Sequence, residues 1–426
     1  MNIILSNSFQ NISKNIFWRF SFLFIFFYIV PTDLGYPVTE IFYELTIWDQ
    51  PIIWIGDFFY EWEFTPDQLH RGYDSRFEFS RYIFVLLVSI IGTTIWLLVD
   101  VYLKKSYTNK LKITLQTIIR YQLGLVIIGY GLSKVFMLQF GTMGLDTMET
   151  KVGDLTSMGL MWKFMSFSKL IVMFPGWIEV IGGVLLFFRK TTFLGVMLLF
   201  VIMANVVLMD ISFDVTVILY ACFLSFMLII LLSTQLKSLY TYLVLNETTK
   251  PETYEPLVKS KKVRIIFKVI LLSVVTYFYA QEHIERIESE TINRYTWFTN
   301  MQTVQKFVVN GDTLASKTTV KKPEAWKQMI FNGVSYQPET FKIIKENNKT
   351  ERFKFEIDST AKTIRFRLLS DETKEWSEFT YTKTKKRTYT FDGIYEGDTI
   401  HITSWAKYVN DYNIMYYKGK LLFDDN

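Results

Sequence analysis

Lys134 and Glu179 are ionisable side chains set inside long apolar runs, where a charge is costly and normally faces a partner or a cavity. An ammonium and a carboxylate so placed can hold a proton, or bind a polar group carried on an apolar molecule. Tyr130 lies one helical turn before Lys134 on the same face, Asn205 a turn inside the outer end of another run, and Asp210 at that end. At about 1.5 Å of helix per residue, Lys134 is expected roughly 6–8 Å below the outer membrane surface and Glu179 roughly 16 Å below it. Long side chains bridge that difference if the two helices are neighbours, and Gly182 and Gly183 beside Glu179 permit close approach. The candidate site is therefore Lys134, Glu179, Tyr130, Asn205 and Asp210, opening away from the cytoplasm. Three of them have a plainer alternative. Lys134 can snorkel to the headgroups, Tyr130 can anchor at the interface, and Asp210 and Asp214 can be turn residues. Arg120, Arg189 and Lys190 read most simply as inner-surface anchors.

The elements that must hold these residues are membrane helices. Half of the 426 residues are hydrophobic. They gather in runs at Ile16–Val30, Tyr82–Leu103, Thr117–Leu138, Ser168–Phe188, Thr192–Met209, Val215–Leu232 and Val263–Ala280. Such lengths match a hydrocarbon core of about 30 Å. The first run is not followed by a small-residue cleavage site, so we read it as a retained anchor rather than a signal peptide.

Loop charge sets the expected orientation. Lys104, Lys105, Lys110 and Lys112 follow the second run, Arg189 and Lys190 the fourth, and Lys237, Lys250, Lys259, Lys261 and Lys262 the sixth. The alternate connections are acidic or balanced. This predicts about seven spans, a cytoplasmic N-terminus and a C-terminal domain outside the cytoplasm. Segment 31–81, rich in aromatics around Trp48, Trp54 and Trp62 and broken by Pro51, is expected to lie on the outer surface.

From about Asn293 the period changes to two. Arg352–Ile357 and Thr363–Leu368 alternate strictly, and Glu378–Thr384, Thr388–Phe391 and Thr399–Tyr408 continue the pattern. Asp371-Glu372 and Asp392-Gly393 read as turns. We expect an antiparallel sheet with one buried face, as a small open sheet or sandwich. His401 falls on the polar side of a strand, and no nucleophile and base pair accompanies it. The expected fold is thus an α-helical polytopic bundle followed by a small antiparallel β domain. Its divisions are 1–112, 113–235, 236–292 and 293–426.

Composition narrows the chemistry. Net charge is +5, with no basic and aromatic stripe suited to nucleic acid. Cys222 is the single cysteine, so no disulfide, CxxC pair or cysteine-held iron–sulfur cluster forms within the chain. His70, His283 and His401 all avoid the middles of the apolar runs, which leaves no bis-His haem site in the bundle.

Several stretches resemble the DoxX family of bacterial membrane proteins, in the long form with extra N-terminal spans and a soluble tail. They are Arg120-Tyr121, Gly129–Phe136, Leu138–Phe140, Gly153-Asp154, Ser157–Met165, Glu179–Thr192 and Met203–Val207. The resemblance is good over roughly residues 115–235 and weak outside it. It implies a four-helix core in which the Lys134, Glu179 and Asn205 positions recur. It also implies a link to quinone chemistry, because founding members are similar to a subunit of a sulfur-compound:quinone oxidoreductase. Three functions follow as expectations. The first is a redox- or quinone-associated subunit without its own metal or thiol centre, receiving electrons from a partner redox protein. The second is a non-enzymatic envelope component whose outer β domain binds a protein or glycan. The third is a small-solute or lipid transporter. None of these residues assigns an enzyme class. The expected location is the inner membrane, with the β domain in the periplasm.

Overall fold

A computed structural model of the protein describes residues 2–29, 48–69, 74–103, 108–141, 143–250, 254–294, 301–314, 325–331, 340–371 and 373–413. Lys104, Lys105, His70, Glu372 and all of segment 31–47 lie outside them, as does the side chain of His283. The chain forms two compact units. One comprises Met1–Gln139 with Ser168–Glu282, the other Phe140–Phe167 with His283–Asn426.

The first unit is helical: α1 (Asn2–Ile29), α2 (Asp49–Tyr60), α3 (Arg76–Leu103) and α4 (Thr108–Val135) open the chain. After α5 (Leu145–Glu149) and α6 (Ser157–Phe167) of the second unit come α7 (Lys169–Leu186), α8 (Thr192–Ser212), α9 (Ile218–Ser233), α10 (Leu236–Leu243) and α11 (Lys261–Arg294). Each of the seven apolar runs lies mainly within a helix: α1, α3, α4, α7, α8, α9 or α11. Among the described residues, five helices are long and apolar enough to cross a membrane: α3, α4, α7, α8 and α11 through Gln281. Helix α9 joins them as a sixth if it counts together with α10, to which it is bent by 67°.

Sequential packing of α4 on α7, α7 on α8 and α8 on α9, with α9 returning to α4, makes a four-helix ring. Helices α1 and α3 pair beside it. Trp18, Phe24, Ile25 and Tyr28 of α1 share one apolar core with Leu115, Ile119 and Leu123 of α4 and Phe223 and Met227 of α9. Lipid offers apolar contact as readily as another helix does, so close fit rather than hydrophobicity selects these neighbours. The rings of Tyr28 and Phe223, stacked with centroids 3.8 Å apart, are one such fit.

Helix α2 keeps Ile52 and Ile55 buried and leaves Trp54, Phe58 and Phe59 exposed. Pro51 does not break it. It stands in the first turn, where a missing N–H costs nothing.

Among the described residues, the second unit contains nine strands: β1 (Met301–Val309), β2 (Asp312–Leu314), β3 (Trp326–Phe331), β4 (Thr340–Lys345), β5 (Thr350–Asp358), β6 (Thr363–Leu368), β7 (Ser377–Lys383), β8 (Thr388–Tyr395) and β9 (Asp398–Lys407). The expected alternation is present, but the sheet is neither open nor a sandwich. Strand β1 pairs antiparallel with β9, from Met301 opposite Lys407 to Val309 opposite Ile400, and closes an eight-stranded barrel with β2 attached to β1. Closure removes both edges, and an interior of this strand number is just filled by side chains. Here the filling is aromatic: Trp326, Phe341, Phe353, Phe366, Phe379 and Phe391.

Asp392-Gly393 is not a turn. It lies within β8, paired with His401 and Ile400. The β8–β9 turn is Glu396-Gly397, both left-handed at φ 53° and 89°. Gly393 serves a different need, since a Cβ there would sit 2.3 Å from the ring of Phe379.

Segment 140–167 belongs to this unit. Leu145 is buried against Met301 and Ile330. Glu149 accepts hydrogen bonds from Tyr412, from Gln328 at 3.1 Å and from Lys407 at 3.2 Å. Asp146 takes Lys342, with Arg352 at 3.7 Å.

Candidate functional site

Helices α4 and α7 cross at almost backbone contact because glycines face each other along the seam. A Cβ on Gly131 would lie 2.7 Å from the carbonyl oxygen of Gly176 and 2.9 Å from the backbone nitrogen of Val180. Gly124 and Gly183 form the second rung, seven residues away on each helix. Small residues at this spacing are the usual means by which membrane helices approach.

One turn from the first rung on each helix stand Lys134 and Glu179. Lys134 Nζ lies 2.6 Å from Glu179 Oε1 and 2.7 Å from Oε2, so the ammonium bridges both carboxylate oxygens. Glu179 is 2% exposed and Lys134 9%. Lys134 does not snorkel. At such depth each charge needs the other, since the solvation they lost is replaced only by their mutual attraction and hydrogen bonds.

The remaining candidates divide. Tyr130 is partly exposed, and its ring centroid lies 5.9 Å from Lys134 Nζ, within reach of a cation–π contact. Asp210 ends α8 as a buried residue, 6% exposed, not as an open turn. It lies within electrostatic reach of Lys134 and Asp74, and its Oδ2 has no hydrogen-bond partner. Buried polar atoms are nearly always satisfied, so an orphan of this kind is unusual. Asn205 is exposed on α8, away from any described hydrogen bond. The structure thus gathers Lys134, Glu179, Tyr130 and Asp210, and leaves Asn205 outside. Asp214 takes a left-handed turn conformation at φ 52°.

Other polar residues in the helical unit did not stand out in the sequence. Asp74 accepts hydrogen bonds from the backbone N–H groups of Ile218 and Leu219, at 2.7 and 3.0 Å, and so caps α9 from across the fold. Arg19 is 1% exposed and ion-paired with Asp100. Arg120, expected as a surface anchor, is instead 2% exposed, with Nε donating to the Leu186 carbonyl at 2.9 Å. That carbonyl is one of the orphans at the end of α7, so Arg120 serves as its cap.

The barrel presents no comparable constellation. His401 faces Asp392 across the β8–β9 pair on the wet side. Among the described residues, no group of three or more His, Cys, Asp or Glu side chains is arranged to hold a metal ion.

No family model matches this chain, and no solved structure matches it. A curated relative is the uncharacterized protein YwoB of Bacillus subtilis (strain 168), 33% identical over 88 residues. The match covers 21% of this chain and spans 55% of that relative's length.

Proposed function

We propose that this chain is a DoxX-like subunit of the bacterial inner membrane that binds a quinone in the outer half of its bundle. The observation that carries this reading is the buried Lys134–Glu179 pair with the unpartnered Oδ2 of Asp210 within electrostatic reach of it. A quinone presents carbonyl oxygens when oxidised and hydroxyls when reduced. Its ligands must therefore donate in one state and accept in the other. Lys134 donates to a carbonyl, and Asp210 accepts from a hydroxyl or hands over a proton. Glu179 holds the ammonium of Lys134 in position. The quinone supplies the electron-accepting chemistry, and the electrons come from a separate partner protein.

Two further features support the reading. The stretches that resemble the DoxX family at Gly129–Phe136 and Glu179–Thr192 supply one glycine of each rung, Gly131 and Gly183, together with Lys134 and Glu179. The loop charges favour a cytoplasmic N-terminus, which puts Lys134 in the outer half of the membrane and the barrel in the periplasm.

The test is to purify the full chain in mild detergent from quinone-containing membranes and measure extracted quinone by chromatography. Wild type should retain quinone, and Lys134→Gln and Asp210→Asn should lose it. Equal retention by all three proteins would sink the proposal.

One observation favours a second reading, an envelope component with a binding barrel. Trp376 lies between the guanidinium groups of Arg365 and Arg367, at 5.6 and 5.1 Å, on the wet side of β6. An aromatic face flanked by cations suits an acidic protein or a glycan. Loss of a co-purifying partner in Trp376→Ala, with quinone retention absent throughout, would select this reading over the first.

A further inference from the structure

At the end of the bundle opposite to Asp210, four basic side chains converge where α4, α7 and α11 meet. Arg120 and Arg189 share one residue. The guanidinium of Arg120 lies 5.6 Å from the ring centroid of Tyr254, and Arg189 donates to the Tyr254 carbonyl at 2.9 Å. Beside Arg189, the ring of Phe188 carries Lys268 of α11, with Nζ 4.8 Å from its centroid. Arg264 stands one turn before Lys268 and, among the described residues, donates to the backbone carbonyls of Val258 and Lys259. Helix α11 is held in this place by Phe267, whose ring packs on Tyr121 at 5.8 Å.

The partners of these cations are carbonyls and aromatic faces. Among the described residues, no carboxylate pairs with any of the four. Arg120, Arg189 and Arg264 all act on Lys268, and Arg189 acts on Arg120 alongside the hydroxyls of Tyr121 and Tyr254. Scattered inner-surface anchors would turn outward to water and separate. These are drawn together, half-buried, and in the case of Arg120 fully buried. Like charges gathered without a counter-charge are repulsive by themselves. They are stable together when an anion completes them.

We propose that this cluster binds the phosphate of an anionic phospholipid, with Arg189, Arg264 and Lys268 on the phosphate and Arg120 fixing Arg189 through Tyr254. The choice of lipid over a dissolved phosphate rests on the surroundings. The cations sit at span ends, Arg189 just past α7 and Arg264 in the first turn of α11, which is headgroup depth. Val184, Phe188, Ile266 and Phe267 continue outward from them as exposed apolar surface, where acyl chains would lie. Arginine forks suit phosphate oxygens, and a lysine adds a point charge.

The site is about 21 Å along α4 from Lys134, counting helix rise from Arg120, and it is independent of quinone binding. Full-length protein in a neutral detergent, titrated with phosphatidylglycerol, is expected to show a rise in melting temperature and a retained lipid adduct in native mass spectrometry. Phosphatidylcholine should give neither. Arg189→Gln with Lys268→Gln should lose most of the shift and the adduct. Lys268→Gln alone, which removes no described hydrogen bond, should lose part of both while folding normally. An equal response of wild type and the double variant overturns the proposal, as does an equal response to phosphatidylcholine. An equal shift with inorganic phosphate at the same concentration overturns the lipid as ligand.

Discussion

Lys134 and Glu179 lie 45 residues apart, yet Nζ of one sits between both carboxylate oxygens of the other. The glycine seam of α4 and α7 brings the two backbones together, and the pair straddles the Gly131–Gly176 rung, with Lys134 one turn outside it and Glu179 one turn inside. A buried pair of this kind is worth little against apolar replacements but is expensive to break on one side.

That asymmetry is measurable. Glu179→Gln or Lys134→Met alone should cost about 3–5 kcal/mol of stability, because each leaves a buried partner uncompensated. Lys134→Met combined with Glu179→Leu should recover most of the loss. Thermal melts in one detergent compare the four proteins, and a double variant as weak as the sum of the singles would contradict the account.

The seam itself predicts a second result. A Cβ on Gly176 would meet Lys134 Cβ at 2.8 Å and the Gly131 carbonyl oxygen at 2.9 Å. Backbone atoms cannot rotate away, so α4 and α7 must separate. Gly176→Ala should lose about 1–3 kcal/mol, in the range of overpacked cores. Gly153→Ala, with nothing within 4 Å of its Cβ, is the matched control and should melt near wild type.

Much of this architecture was legible in the chain, and the parts that were not share a cause. Each of the seven apolar runs lies mainly within a helix, and the alternation at Thr363–Leu368 is strand β6 to the residue, because both signals are local. Barrel closure depends on Thr303 meeting Trp405, a pairing no local period encodes. Asp392-Gly393 carries the usual turn signal, yet its glycine answers to the ring of Phe379 from a neighbouring strand. The candidate site divides in the same way. Lys134 and Glu179 announced themselves as charges in apolar runs. Asp210 resembled a turn residue because its burial is imposed by other elements. The role of segment 140–167 in the β unit was invisible for the same reason.

That segment makes the barrel sensitive to acid. Burial favours the neutral form of Glu149, but the hydrogen bonds from Tyr412, Gln328 and Lys407 outweigh it and hold the carboxyl below its ordinary value of 4.5. A carboxyl whose folded value is depressed stabilises the fold above its unfolded value, and that stability is lost as pH falls through the folded one. Stability of the β unit should therefore decline below about pH 4.5, and Glu149→Gln should flatten that decline. Residues 293–426 expressed alone lack Leu145, Asp146 and Glu149. They should melt lower than the same domain supplied with a 140–167 peptide. Identical melting with and without the peptide would show that the segment contributes nothing.

Orientation is open to chemistry because Cys222 is the single cysteine. With Cys222→Ser as background, single cysteines at Lys105 and at Asp425 should react with a membrane-impermeant maleimide from opposite sides. Labelling of both from one side would mean an even number of crossings.

Asp210 separates a working site from a merely structural one. Its Oδ2 is buried without a partner, which costs about 1–3 kcal/mol relative to a satisfied or absent group. If that carboxyl waits for a ligand, the empty protein carries the cost and the occupied protein does not. Asp210→Leu should then melt at or above wild type when both are stripped of lipid-soluble ligand by extended detergent washing. In membranes that contain quinone the order should reverse, because only wild type gains binding energy. A structural aspartate gives the opposite pattern. Its removal would lower stability under both conditions, and by the same amount. The quantity to measure is the difference in melting temperature between Asp210→Leu and wild type, taken before and after quinone is restored, with a change of sign as the expected result.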